Sequence, residues 1–132
     1  MASKPEEILE TAKWLLSDAE QSEAFTRVII NRSYYSMYHK VLGTLDNEPV
    51  KYGDVGVHGT LIEYLKSPDA KRDESIEFRE LRKLSYMLEQ EKFNRVKADY
   101  HMDKEIDWEQ AKQTLAAAER CFNRCDEMLK AS

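Results

Sequence analysis

The 132 residues carry 20 Lys and Arg against 25 Asp and Glu, for a net charge of −5, with 34% charged and 42% hydrophobic side chains. A chain of this length buries one core and not two, so residues 1–132 are taken as a single domain. With only four Gly and three Pro, the composition favours helices with one wet face over a β-sandwich or a disordered chain, and the acidic balance argues against a general nucleic-acid coat. A local basic patch, or one concentrated along a dimer seam, is the remaining route to a polyanion.

No apolar run approaches the roughly 18 to 20 residues that span a bilayer, and Met1 to Glu7 lacks the apolar core of a signal peptide, so a cytoplasmic protein without membrane contact is expected. The first helix is announced by Ser3-Lys-Pro-Glu6, a capping box with Pro in the first turn, and its apolar stripe runs through Ile8, Ala12, Leu15, Leu16 and Ala19 to an end near Gln21. Ser22 caps a second helix over about Glu23 to Leu45. Its apolar residues cover more than one face, which predicts a central helix touched from several sides. Pro49, Gly53, Gly56 and Gly59 mark a loop, and a short helix follows from Val57 to Lys66.

Ser67-Pro68-Asp69 breaks the pattern before a long charged helix, from near Asp73 to about Lys97, with Leu81, Leu84 and Leu88 facing inward. Asp107-Trp-Glu-Gln110 starts the last helix, whose packing face is Trp108, Ala111, Leu115, Ala118, Phe122, Cys125 and Leu129. Cys121 and Cys125 stand four apart on that helix and read as core residues. The expected fold is all-α, an up-down helical bundle of four main helices plus one short helix.

Two segments hold groups able to carry chemistry. In Asn31-Arg-Ser-Tyr-Tyr-Ser-Met-Tyr-His39, Arg32 and His39 lie nearly in line two turns apart, with Tyr35 and Ser36 between them. Such polar tips on an apolar helix must face either a cleft or a buried hydrogen-bond network. In Arg95-Val-Lys-Ala-Asp-Tyr-His101, at the end of the long helix, the plain reading is a structural pair of Asp99 with Arg95, Tyr100 packed under the bundle and His101 exposed. The chemical reading needs Arg95 and His101 to converge. On an unbroken helix they point about 120° apart, so they meet in one copy only if the chain leaves helical geometry near Ala98 or Asp99, and otherwise across a dimer.

His58 precedes Gly59 at the start of the short helix, in a capping or turn position where free N–H groups could also receive an anion. Tyr34, Tyr35, Tyr38 and Tyr86 read as core rings, with base stacking as the alternative. The three histidines and scattered carboxylates show no zinc spacing, and neither a metal nor another cofactor is expected.

Taken together, the segment from Asn31 to His39 in a central helix, His58-Gly59 opening a short one, and Arg95-x-x-Ala-Asp-Tyr100 after the long one resemble the small stand-alone, prokaryotic-type HEPN proteins (higher eukaryotes and prokaryotes nucleotide-binding). The resemblance spans roughly residues 5 to 130. It implies a helical bundle that dimerises and a metal-independent endoribonuclease built on an Arg-x(4–6)-His motif near the dimer interface. Arg95 and His101, with five residues between them, match that motif and become the expected catalytic pair; Arg32 and His39 match it a second time. Lys97, Asp99, Tyr100, Arg32, Tyr35 and His39 become the expected supporting or substrate-binding groups. Histidine would move a proton at a ribose hydroxyl while arginine holds the phosphate.

The function this implies is RNA cleavage by a homodimer acting as a toxin or antiviral effector. The alternatives are a non-catalytic HEPN module that binds a nucleotide, an antitoxin or a partner nucleotidyltransferase, and a helical scaffold with no ligand.

Overall fold

The computed structural model describes residues 4–50, 56–103 and 105–131, and among them the chain forms six helices and no strand. These are α1 (Pro5–Asp18), α2 (Glu23–Thr44), α3 (Val57–Leu65), α4 (Pro68–Asp73), α5 (Phe78–Tyr100) and α6 (Trp108–Ala131). Four are long and two short, one short helix more than the sequence pattern suggested. The addition is α4: Ser67, read as part of a break, accepts a hydrogen bond from the Ala70 N–H at 3.1 Å and Pro68 takes the first helical position. The long helix accordingly starts at Phe78 and not near Asp73.

Between α4 and α5, Glu74 is buried and accepts hydrogen bonds from the Asp46 and Asn47 N–H groups, the Asn47 side chain and the Tyr64 hydroxyl, at 2.6 to 3.2 Å. A carboxylate used in this way pins the chain after α2 against α3, so residue 74 is committed to an extended connection and cannot continue a helix.

Side-chain pairs give the direction of each helix. Lys40, late in α2, bridges Glu6 at the start of α1 (2.7 Å) and Asp126 near the end of α6 (2.8 Å). Asn31, early in α2, bonds Asp99 at the end of α5, and Arg124, late in α6, bonds Glu80 at the start of α5. The long helices therefore alternate in direction along the chain, as an up-down bundle requires, with α2 and α6 parallel. The pair α2 and α6 makes the most extensive contact and forms the centre, flanked by α1 and α5, while α3 lies on α5. The broad apolar coverage of α2 is explained by this position: Ile29, Ile30, Tyr34, Met37 and Val41 are buried among α1, α5 and α6.

Leu81, Leu84 and Leu88 of α5 and Ala111, Leu115, Ala118, Phe122 and Cys125 of α6 are buried as expected, and Cys121 and Cys125 are free thiols in the core. Leu129 is half exposed, and Met128 is buried in its place where α6 meets Ile76. Trp108 is only partly buried. In α1 the deepest residues are Leu9 and Ala12, with Ile8, Leu15 and Leu16 partly covered.

Helix ends follow local chemistry. Ser22 caps α2 through the Phe25 N–H (3.1 Å), and Asp107 and Gln110 exchange backbone and side-chain bonds at 3.0 and 3.2 Å to open α6. The first helix begins one residue later than expected, with the Lys4 N–H donating to Glu7 at 3.4 Å, and it ends at Asp18; Ser3 and Gly53 lie outside the described residues. Among the described residues no helix is long and apolar enough to cross a membrane.

Candidate functional site

The end of α5 is fixed by an arginine from α2. Arg27 is buried, and its Nη1 donates to the carbonyl oxygens of Lys97 (3.3 Å), Ala98 (2.8 Å) and His101 (3.3 Å), while Nη2 meets Glu23 at 2.8 Å. Helix C-termini leave their last carbonyls unsatisfied and carry partial negative charge, and a cation placed there answers both. This clamp carries α5 through to Tyr100, three residues past the expected end.

One turn along α2, Asn31 Nδ2 donates to Asp99 Oδ2 at 2.8 Å, and the same oxygen lies 2.8 Å from Arg95 Nε. Asn31 Oδ1 in turn accepts from Arg32 Nε at 2.8 Å. A single amide thus links the two sequence segments. The Arg95 and Asp99 side chains are each about four-fifths covered, and the Arg95 guanidinium stands 5.6 Å from the centre of the Tyr100 ring.

From Arg32 a chain of rings continues along α2. Its guanidinium lies 4.9 Å from the Tyr35 ring, Tyr35 meets His39 edge-on at 4.4 Å, and His39 meets Tyr38 at 5.0 Å. Tyr38 then contacts His58 of α3 at 4.5 Å, and His58 Nδ1 is 3.3 Å from the buried Tyr34 hydroxyl. Arg32, Tyr35 and His39 open onto a groove of about 560 Å³ whose other wall is Pro5 and Ile8 of α1.

Electrostatics give the histidines a defined state. Burial lowers the pKa of His58, and the charges of Arg95 and Lys92 and the nearby His39 lower it further; burial alone lowers that of His39. Both rings are neutral near pH 7 and able to accept a proton. Burial raises the pKa of Tyr34 and Tyr38, which keeps both phenols protonated. The Tyr34 hydroxyl and His58 Nδ1 share a hydrogen bond at 3.3 Å, whose direction follows the tautomer of the neutral ring. Neutral imidazoles beside guanidinium groups are suited to holding an anionic ester and moving one proton near it.

Of the residues expected from sequence, Arg95, Asp99 and Tyr100 come together at the end of α5, and Arg32, Tyr35 and His39 line the α1–α2 groove, joined to the first group by Asn31. His101 and Lys97 take no part through their side chains. Because α5 is helical through Tyr100, Arg95 and His101 point about 120° apart, and His101 is exposed, so the two do not converge within one copy. Tyr100 is 67% exposed and does not pack under the bundle.

Three further expectations change. Ser36 is buried and bonds the Ser33 carbonyl at 2.7 Å, so it leaves the stripe of Arg32, Tyr35 and His39. Tyr86 and Tyr35, read as core, are 65% and 37% exposed. His58 neither caps a helix nor sits in a turn; it occupies the second position of α3 with its ring against Tyr34 and Tyr38.

Asn31, Arg27 and His58 are the residues that sequence reasoning left without these roles. Arg27 had a detectable signal, a lone cation within the run Phe25-Thr-Arg-Val-Ile-Ile30. Comparison with family models, with curated proteins and with solved structures found no match.

Proposed function

We propose that this chain is a HEPN-type bundle that cuts RNA without a metal ion, as a homodimer. The observation that carries the reading is that the three segments bearing the resemblance, Asn31 to His39, His58, and Arg95 to Tyr100, meet in one continuous network although they lie far apart in the chain. Arg95 is held by Asp99 while part of its guanidinium remains open to a ligand, as a phosphate anchor requires.

Cleavage proceeds by attack of the ribose 2′-oxygen on phosphorus. A histidine takes the hydroxyl proton, the bond to the 5′-oxygen breaks, and that oxygen takes a proton from water, to which the histidine returns its own, leaving a 2′,3′-cyclic phosphate and a 5′-hydroxyl. Since His101 points away from Arg95 of its own copy, we assign it to the Arg95 of a second copy. Supporting such a dimer, Phe93, Tyr100 and Met102 are 75%, 67% and 72% exposed around the same end of α5. Apolar side chains grouped in this way are suited to burial against a partner.

The test is cleavage of a mixed RNA by purified protein in the presence of a chelator. Arg95→Ala and His101→Ala are each expected to lose about 100-fold or more. Mixing the two variants should recover about a quarter of the activity, because half of the dimers then carry one intact site of two. Failure to recover activity on mixing removes the shared site. Activity that survives His101→Ala and disappears in His39→Ala or His58→Ala moves the proton transfer to the α2–α3 rings.

One observation favours a second reading. Asp99 already neutralises Arg95, and its bonds to Arg95 and Asn31 are made without a ligand, as in a structural core. A folded dimer that leaves RNA intact and gains thermal stability with a nucleotide would make the chain a binding module of the same family type, the form suited to a partner nucleotidyltransferase or antitoxin.

A further inference from the structure

Although the chain is acidic overall, its cations are not spread evenly. The first half of α5 and the second half of α6 enclose a groove of about 720 Å³ into which Arg79, Arg82, Lys83, Arg120 and Arg124 project, with Glu127 the one carboxylate in its lining. Glu80 pairs with Lys83 (3.4 Å) and Arg124 (2.9 Å), and Glu77 stands 3.9 Å from Arg79. Arg82 and Arg120 have no carboxylate within 4.0 Å among the described residues, and both are exposed. Two guanidinium groups with no carboxylate partner among the described residues, one from each helix, thus line a groove whose other cations stand beside carboxylates, and that of Arg82 lies 5.9 Å from the centre of the Phe78 ring.

The second element is Tyr86. Its ring lines the same groove and is 65% exposed, on the side of α5 away from the core residues Leu81, Leu84 and Leu88. Cations that track a backbone, combined with an open aromatic face, are the two elements that hold single-stranded nucleic acid: the cations take phosphates and the ring stacks on a base. Guanidinium groups suit phosphate oxygens geometrically, since their paired N–H donors match two oxygens at once. The volume accommodates one or two nucleotide units. An acidic helix would need apolar anchors in the groove, and Tyr86 and the partly buried Met87 are the only large apolar side chains in its lining.

This groove is separate from the network at the other end of α5. Tyr86 and Arg95 are nine residues apart, which places them about 13 Å apart along the axis and on opposite faces of the helix.

We propose that the α5–α6 groove is a nucleotide-binding site, in which Arg82 and Arg120 hold phosphate and Tyr86 stacks on a base of a single strand. The choice of RNA as that strand rests on the proposed function; the site itself does not. The shared chemistry, an anionic phosphate joined to a planar base, also belongs to a free nucleotide.

The experiment uses the full chain carrying Arg95→Ala, so that the probe is not consumed, and follows fluorescence anisotropy of a labelled single-stranded RNA of about ten nucleotides at low salt. Arg82→Ala with Arg120→Ala is expected to weaken binding at least about tenfold and to flatten its salt dependence, and Tyr86→Ala about fivefold or more, with the melting temperature unchanged. Adenosine triphosphate binding that disappears in the same double variant, without oligonucleotide binding, keeps the site and makes the free nucleotide its ligand.

Oligonucleotide affinity within twofold of the parent in the double variant overturns the proposal. Displacement of the RNA by polyglutamate as readily as by unlabelled RNA also overturns it, since the groove would then read charge alone. Because the parent still holds or fails to hold RNA whether or not the wild type cuts it, failure here is distinct from failure of the nuclease reading.

Discussion

The two ends of α5 are both rich in arginine and are built on opposite plans. At the C-terminal end Arg27 and Arg95 are largely covered, and each is committed to oxygen atoms of the fold: carbonyls of the last turn for Arg27, the Asp99 carboxylate for Arg95. At the N-terminal end Arg79, Arg82 and Arg120 are exposed, and two of them have no carboxylate at hand among the described residues. Buried cations must be paired to offset lost hydration, whereas exposed ones contribute little to stability however they are paired. The C-terminal cluster should therefore govern folding and the geometry of the candidate site, and the N-terminal one ligand affinity alone.

Arg27→Ala breaks this contrast most severely, because it strips three carbonyl groups and Glu23 of their donor in a buried place. A loss of about 2 to 4 kcal/mol in chemical denaturation is expected. Hydrogen exchange should show the final turn of α5 opening before the rest of the helix. By the same argument Arg82→Ala should change stability by less than about 0.5 kcal/mol, and a comparable cost at both ends would refute the division. Asp99→Ala comes next. It removes the acceptor shared by Asn31 and Arg95, with an expected cost of about 1 to 2 kcal/mol read from the denaturation midpoint. On the proposed nuclease reading, an Asp99 that serves only to hold Arg95 makes this variant depress RNA cleavage less than Arg95→Ala does.

The contrast also explains what could be read from the sequence. Helix positions came from periodic apolar residues and from local caps such as Ser22 and Asp107-Trp-Glu-Gln110, which act within four residues and are visible as short patterns. The central place of α2 followed from its many apolar faces. What stayed hidden depends on partners distant in sequence. The α5 terminus is set by an arginine 70 residues earlier, the start of α5 by a carboxylate tied to residues 27 and 28 positions before it, and the surroundings of His58 by tyrosines of another helix. The basic groove was illegible for a related reason. Its cations are scattered over two helices and average out in an acidic chain, and only packing brings Arg82 and Arg120 into one groove.

The smallest effect is also the most specific. His58 has a folded pKa below its ordinary value, chiefly through burial and then through Arg95, Lys92 and His39. A histidine of this kind binds a proton more readily in the unfolded chain, so its contribution to stability is complete above the ordinary value of about 6.5 and declines as pH falls through that value toward the lowered one. Glu6, whose pKa is also lowered, titrates in the carboxylate range, outside the window from pH 7.5 to 5.5. His39 is lowered by burial alone and shares that window, so His58→Gln should remove part of the fall in melting temperature and His39→Gln another part. Arg95→Gln should shrink the His58 share by removing a charge that opposes protonation, while Arg82→Gln, on the opposite plan at the far end of α5, should leave it unchanged. A pH dependence that responds equally to both arginines would show that net charge, and not the closed network around His58, sets the acid sensitivity of the fold.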